Sequence, residues 1–184
     1  MADKKQLDYF FKLAHSRKTT YEFSDKKIKS SDIKKILEVA RLAPSCLNIQ
    51  PWQFIIVKNK DKISKLMETA SYGGFHSDPT LIIAVVLDKG CWENADYKGK
   101  FDISGAYLSI AMPILSMVFE AEELGISSAI LTPNKKYASK ILKTPSEESI
   151  PVMIGLGYER KGAYQKKKER NPLRTIIFKE SYGK

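Results

Sequence analysis

From Ile103 to Phe119 the chain runs 17 residues without a charge, closed by Asp102 and Glu120. No other feature restricts the fold as much. About 17 residues is the lower limit for spanning a bilayer. The run holds Ser104, Ser109, Ser116, Gly105 and Pro113, and it is the one such segment in the sequence. A buried helix is therefore the better reading, over 102–124, closed by Gly125 in the helix-ending position. A helix apolar on every side needs more cover than a chain of 184 residues readily supplies, and a subunit interface could provide it. Pro113 is expected to kink or divide the helix, since it lacks the N–H that the ladder uses.

The remaining elements follow from periodicity. Leu7, Phe10, Phe11 and Ala14 stand at helical spacing, giving an opening helix that ends near Ser16. Ile33, Ile36, Leu37 and Ala40 make a second stripe, with Ser30 or Ser31 as cap, Asp32 at the positive end and Pro44 as stop. Gln53–Lys58 reads as a strand, and Ile63, Leu66, Met67 and Ala70 as a helix. Thr80–Leu87 is a continuous apolar run, as expected of a strand buried on both faces. An irregular Gly- and Trp-containing segment follows. Then come a strand at Ser128–Leu131, a helix at Lys135–Leu142, a strand at Val152–Leu156 and a last β-rich run at Thr175–Phe178. Helices and strands mix without strict alternation, so the expected class is α+β, a mixed sheet covered by helices. No repeat or long linker divides the chain, and 1–184 is read as one domain.

Composition excludes several function classes. Hydrophobic residues make up 43% and aromatic residues 10%, which argues against disorder over most of the chain. Cys46 and Cys91 stand far apart, with no CxxC or Cys/His cluster, so neither a disulfide scaffold nor a zinc site is expected, and no metal. The opening MADKKQLDYFFKLAHSRK has no apolar h-region; no signal peptide is expected, and the default compartment is the cytoplasm. The net charge of +10 is carried mostly by lysines spread along the whole length. The one concentration is Arg160 to Arg174, centred on Lys166-Lys167-Lys168. A small anionic ligand fits that distribution better than nucleic acid, which usually meets a single stripe of charge interleaved with aromatics.

Gly155-Leu156-Gly157 does not continue into a dinucleotide fingerprint, because Arg160 takes the place of the third glycine. A Walker A sequence is absent, and His15 and His76 have no Cys or carboxylate companions at ligand spacing. Cys46 has no histidine near it in sequence to activate a thiol. Two segments remain. Ser16-Arg17-Lys18-Thr19 offers two cations and two hydroxyls after the first helix, either a phosphate clamp or a solvated helix C-terminus. Pro44 to Trp52 is a proline-bracketed loop with Asn48 and Gln50, able to present amides to a heterocycle or simply to cap a strand.

At these segments the chain resembles the FMN-dependent nitroreductase family. Arg17-Lys18-Thr19-Thr20-Tyr21-Glu22-Phe23 is similar to its RRSxRxF opening, and Ala43 to Phe54 to its specific APSxxNxQPWxF signature. Glu123 to Ile130 resembles the helix–LGIGS–strand passage, Pro151 to Tyr158 the PVxxIGLGYP strand, and Lys168 to Leu173 the closing KxRxPL. The matches run in family order over residues 16–175.

The resemblance implies an α/β sandwich in an intertwined homodimer, with FMN between the subunits. Arg17, Lys18 and Thr19 would then meet the phosphate and ribityl chain, and Lys168 and Arg170 would close on the phosphate from the basic 160–184 segment. Pro44, Ser45, Cys46 and Asn48 would reach the flavin ring from the partner, with Gln50 behind them. Leu131 and Thr132 would set backbone groups along the ring edge. The implied activity is hydride transfer from NAD(P)H through flavin N5 to a flat acceptor such as a nitroaromatic or quinone, with no catalytic side chain, no nucleic acid and no membrane involved. Tyr21 departs from the pattern, standing where relatives place a cation near flavin N1 and O2. Two rivals stay open: a flavin-binding or redox-sensing module without turnover, which the loss of that cation would suit, and a basic nucleic-acid-binding domain.

Overall fold

The computed structural model describes residues 4–70, 73–95, 99, 102–145, 149–165 and 169–183. Lys168 and Tyr97 lie outside the described residues. Among the described residues, six helices and four strands follow in the order α1 (Lys4–Ser16), α2 (Ser30–Arg41), β1 (Trp52–Val57), α3 (Lys60–Glu68), β2 (Leu81–Leu87), α4 (Lys89–Ala95), α5 (Ile103–Glu123), β3 (Ser127–Leu131), α6 (Lys135–Leu142) and β4 (Ser149–Gly157). The strands form one sheet in the order β1-β2-β4-β3, and all three ladders are antiparallel. Among the described residues parallel pairing occurs as one isolated bridge, Thr19 to Ser128.

The apolar run in β2 explains the layering. Successive side chains leave opposite faces of a strand. Leu81, Ile83, Val85 and Leu87 pack with α2 (Ile33, Ile36) and α5 (Ile110, Met117). Ile82, Ala84 and Val86 pack on the other face with Ile63 and Leu66 of α3 and Ala138 of α6. Every residue of β2 is buried. An antiparallel sheet covered on both faces therefore produces the unbroken apolar run usually associated with parallel strands.

Local chemistry sets most ends. Asn59, Asp102 and Asn134 cap α3, α5 and α6 by accepting the N–H groups of Lys62, Ser104 and Tyr137. Gly125 takes φ +67 after α5, a left-handed position that costs glycine little. Four expectations are corrected. The cap of α2 is the backbone of Lys29, and Ser30 and Ser31 are the first helical residues. α3 ends at Glu68, before Ala70. The irregular segment contains α4, whose start is tied by Asp88 Oδ1 accepting the Cys91 N–H at 2.7 Å. Pro113 does not divide α5: it is buried within one continuous helix, because Ala106, Ile110, Ile114 and Met117 hold both halves on the core.

The run Thr175–Phe178 forms no strand. A 3₁₀ turn covers Leu173–Thr175, and Ile176, Ile177 and Phe178 are exposed. Within one chain this run pairs with neither sheet edge, so β propensity alone does not order it. The long helix is covered on one side only. Leu108, Met112 and Leu115 form an exposed apolar stripe on α5, and Phe10 and Phe11 of α1 are exposed as well. By length and hydropathy α5 also passes as a membrane span, but its other face is core.

Candidate functional site

The site is built where the chain leaves α1. Thr19 bridges Ser128 at the start of β3, and the Thr20 N–H donates to the Ser128 carbonyl at 3.0 Å. The Arg160 N–H donates to the Glu22 carbonyl at 3.0 Å, and Phe23 bridges Glu159. Residues 19–23 are thus held between β3 and the segment that follows β4. Phe23 locks them in place. Its N–H donates to Ser77 Oγ at 2.6 Å, the same hydroxyl donates to its carbonyl at 2.8 Å, and its ring is 1% exposed. A β-carbon at position 157 would lie 2.8 Å from that ring, so this close approach requires glycine there.

A cavity of about 530 Å³ opens beside this segment, and Arg17, Lys18, Thr19 and Arg170 lie on its wall. Arg17 is half-buried, and neither it nor Arg170 takes part in an ion pair among the described residues. Lys18 is engaged, its ammonium lying 3.1 Å from Glu159 Oε1. Glu159 is the residue that sequence reasoning missed. Thr20 Oγ1 and Gln165 Nε2 both donate to its other oxygen, at 3.1 and 2.8 Å. Partial burial pushes this carboxyl up, but the hydrogen bonds from Gln165, Lys18 and Thr20 outweigh burial and hold it below its ordinary 4.5. Nothing in local spacing links Glu159 to Thr20, 139 positions away.

A pH dependence follows. A carboxylate with a depressed folded value stabilises the fold fully above its unfolded value and loses that contribution as pH falls through the folded one. Thermal unfolding followed from pH 6 down to pH 3 is expected to fall less steeply in Glu159→Gln than in the native protein. Identical profiles would show that the carboxylate is not so held.

The second segment stands apart from this cavity. Cys46–Asn48 is a 3₁₀ turn, and Leu47, Asn48 and Gln50 all have positive φ (46°, 58° and 54°). Three such non-glycine residues within four positions cost on the order of 1 kcal/mol or more each and persist only where the surroundings impose them. Ser109, buried on α5, accepts the Cys46 N–H at 3.1 Å and donates to the Gly105 carbonyl at 2.8 Å. Ser45 Oγ accepts the Gln50 N–H at 2.9 Å, and Gln50 Nε2 donates to the Asn48 carbonyl at 3.1 Å. These bonds hold the loop while Pro44, Cys46, Asn48 and Gln50 stay exposed. No sequence signal singled out Ser109, a serine in an apolar helix. Leu131 is buried at the end of β3, and Thr132 beside it is exposed. Tyr21 lies outside the cavity, its ring 5.3 Å from that of Phe75 and its carbonyl accepting the His76 N–H.

A model of the nitroreductase family matches residues 14–80, the stretch that holds both segments. A protein of Archaeoglobus fulgidus with the provisional name NADH dehydrogenase/NAD(P)H nitroreductase is 29% identical over 170 residues, covering 91% of this chain and 97% of its own. A solved nitroreductase family protein of Clostridium difficile 630 superimposes with a TM-score of 0.77 at 27% identity, over 92% of this chain and 96% of that one. A fold neighbour from Clostridium difficile R20291, named as an FMN-dependent nitroreductase, gives 0.74 at 24% identity, covering 92% and 98%. Agreement in sequence over almost the whole length, in fold, and at the two candidate segments leads to one conclusion: the chain is similar to proteins of the nitroreductase family and shares their fold.

Proposed function

We propose that the protein is an FMN-dependent oxidoreductase that works as a homodimer, with one FMN at each of two sites shared by the subunits. The observation that carries this reading is the meeting of Arg17, Lys18, Thr19 and Arg170, distant in sequence, around one cavity. Arg17, Lys18 and Arg170 outnumber the single Glu159 carboxylate there, and a phosphate monoester carries nearly two charges, so the donor set fits the cofactor's phosphate. Lys168 is assigned to the same phosphate on the family pattern. The 160–184 segment would close on it and on the partner as part of a single domain.

Bound FMN would supply hydride acceptance from NAD(P)H at N5 and reduction of a flat acceptor such as a nitroaromatic or quinone. This chain's own residues position and shield. Arg17 and Arg170 hold the phosphate, and Thr19 contributes a hydroxyl to the ribityl chain. Pro44, Ser45, Cys46 and Asn48 present the outward groups of the strained loop to the ring of the partner's cofactor, with Gln50 behind them. Leu131 and Thr132 offer backbone groups at the ring edge. The exposed stripe of α5, with Phe10, Phe11 and Ile176 to Phe178, would be covered by the partner. The cytoplasm is the proposed compartment. The visible spectrum and anaerobic mixing with NADH and NADPH test the reading. Flavin bands bleached on a catalytic timescale support it, bands that do not bleach favour a binding module, and a colourless protein without FMN affinity overturns it.

Tyr21 yields a prediction on the same reading. Reduced flavin collects negative charge at N1 and O2, where relatives place a cation. Tyr21→Arg is expected to raise the FMN midpoint potential by about 20 mV, corresponding to a net effect of about 1 kcal/mol for a two-electron couple. Spectroelectrochemistry on both proteins reads this directly. An unchanged potential in a variant that binds FMN normally would leave Tyr21 as a packing partner of Phe75.

A further inference from the structure

Between α6 and the start of β4 lies a second cavity, of about 500 Å³, whose wall carries Lys89, Lys135, Lys136, Lys140 and Lys143. No carboxylate among the described residues lines it. Two hydroxyl oxygens on the same wall, Thr144 Oγ1 and Ser149 Oγ, are buried without any hydrogen-bond partner, and Ser149 is only 9% exposed. Buried polar groups in folded proteins are seldom left so, and two in one small cavity ask for a ligand. The lysines ask for the same one. Lys136 and Lys140 stand one turn apart on α6, where like charges repel. A favourable helix C-terminus accounts for Lys140 and Lys143, but not for the two hydroxyls. A phosphate group satisfies both demands: its charge offsets the ammonium groups, and its oxygens accept from hydroxyl and ammonium alike.

The ladder register places this cavity near the proposed flavin-facing loop. Trp52, where the 44–50 loop enters β1, pairs with Leu87, and Leu87 pairs with Ser149. Two strand spacings set Ser149 about 10 Å from Trp52. Lys135 follows Thr132 by three residues, and its ammonium lies 5.4 Å from the Tyr107 ring of α5.

We propose that this cavity binds the phosphate group of a small molecule. On the function proposed above, that group would be the phosphate that distinguishes NADPH from NADH; this assignment rests on that function, whereas the phosphate binding does not. Calorimetry on the purified, FMN-saturated protein with 2′,5′-ADP and with inorganic phosphate tests the binding, beside kcat/KM for NADPH and NADH. The variants are Ser149→Ala and the double substitution Lys140→Met with Lys143→Met. Affinity for 2′,5′-ADP is expected to fall at least about tenfold in each. The kcat/KM for NADPH should fall about as much, while that for NADH stays within about twofold. No binding by the native protein, or equal binding by the variants, overturns the site. Phosphate binding lost in the variants with both kcat/KM values unchanged overturns the donor assignment and identifies a different phosphorylated small molecule. If neither donor reduces the protein, the oxidoreductase reading fails, and calorimetry still decides the cavity.

Discussion

Phe23→Ala is expected to lower the free energy of unfolding by about 3–5 kcal/mol, the usual range for deleting a buried aromatic side chain and leaving a cavity. At about 2–4 °C per kcal/mol for a chain of this size, the melting temperature should drop on the order of 10 °C. The effect is large because the ring is enclosed. It packs with the cluster that includes Ile63, Leu66 and Met153, and Gly157 lies against it with no side chain to fill the space left. Phe23 also secures the backbone of residues 19–23, on which Lys18 and Thr19 depend for their position. Loss of FMN affinity is expected to accompany the loss of stability. Urea denaturation measures the first and fluorescence titration the second. A destabilisation below about 1 kcal/mol would mean that Ser77 and the bridge to Glu159 hold the segment without the ring.

The second large effect concerns cofactor binding. Arg17→Ala should weaken FMN binding by about 1.5–3 kcal/mol, as for one lost charge-assisted hydrogen bond, or roughly 10- to 150-fold in Kd. Arg17 is the sensitive position because it makes no ion pair among the described residues, whereas Lys18 would have to be drawn from Glu159. The proposed sharing of sites gives a sharper form of the test. If Asn48 serves the site whose Arg17 belongs to the other subunit, a mixed dimer of Arg17→Ala and Asn48→Ala chains has one site with both defects and one with neither. Titration of that dimer should show one native-like and one weak site. Two equally weakened sites would mean that each subunit binds FMN with its own Arg17 and its own Asn48.

What each level of description decided can be seen in particular residues. Periodicity alone located β2, because a strand covered on both faces must be apolar throughout, and it located α6 from Lys135 to Leu142. It likewise marked α5 as a helix with too much apolar surface for one chain, and Leu108, Met112 and Leu115 remain uncovered. The Arg17-Lys18-Thr19 and Pro44 to Gln50 segments were legible for a similar reason, since their side-chain chemistry and punctuation are local. Other features were not local. Whether Pro113 would break its helix depended on packing supplied by α2 and the sheet, and whether Thr175–Phe178 became a strand depended on a neighbouring edge that one chain does not provide. The partnership of Glu159 with Lys18 and Thr20, and the grip of Ser109 on the strained loop, join residues 63 to 141 positions apart. Such contacts are products of chain closure around the core. A sequence records which side chains are available, and only the tertiary structure decides which of them meet.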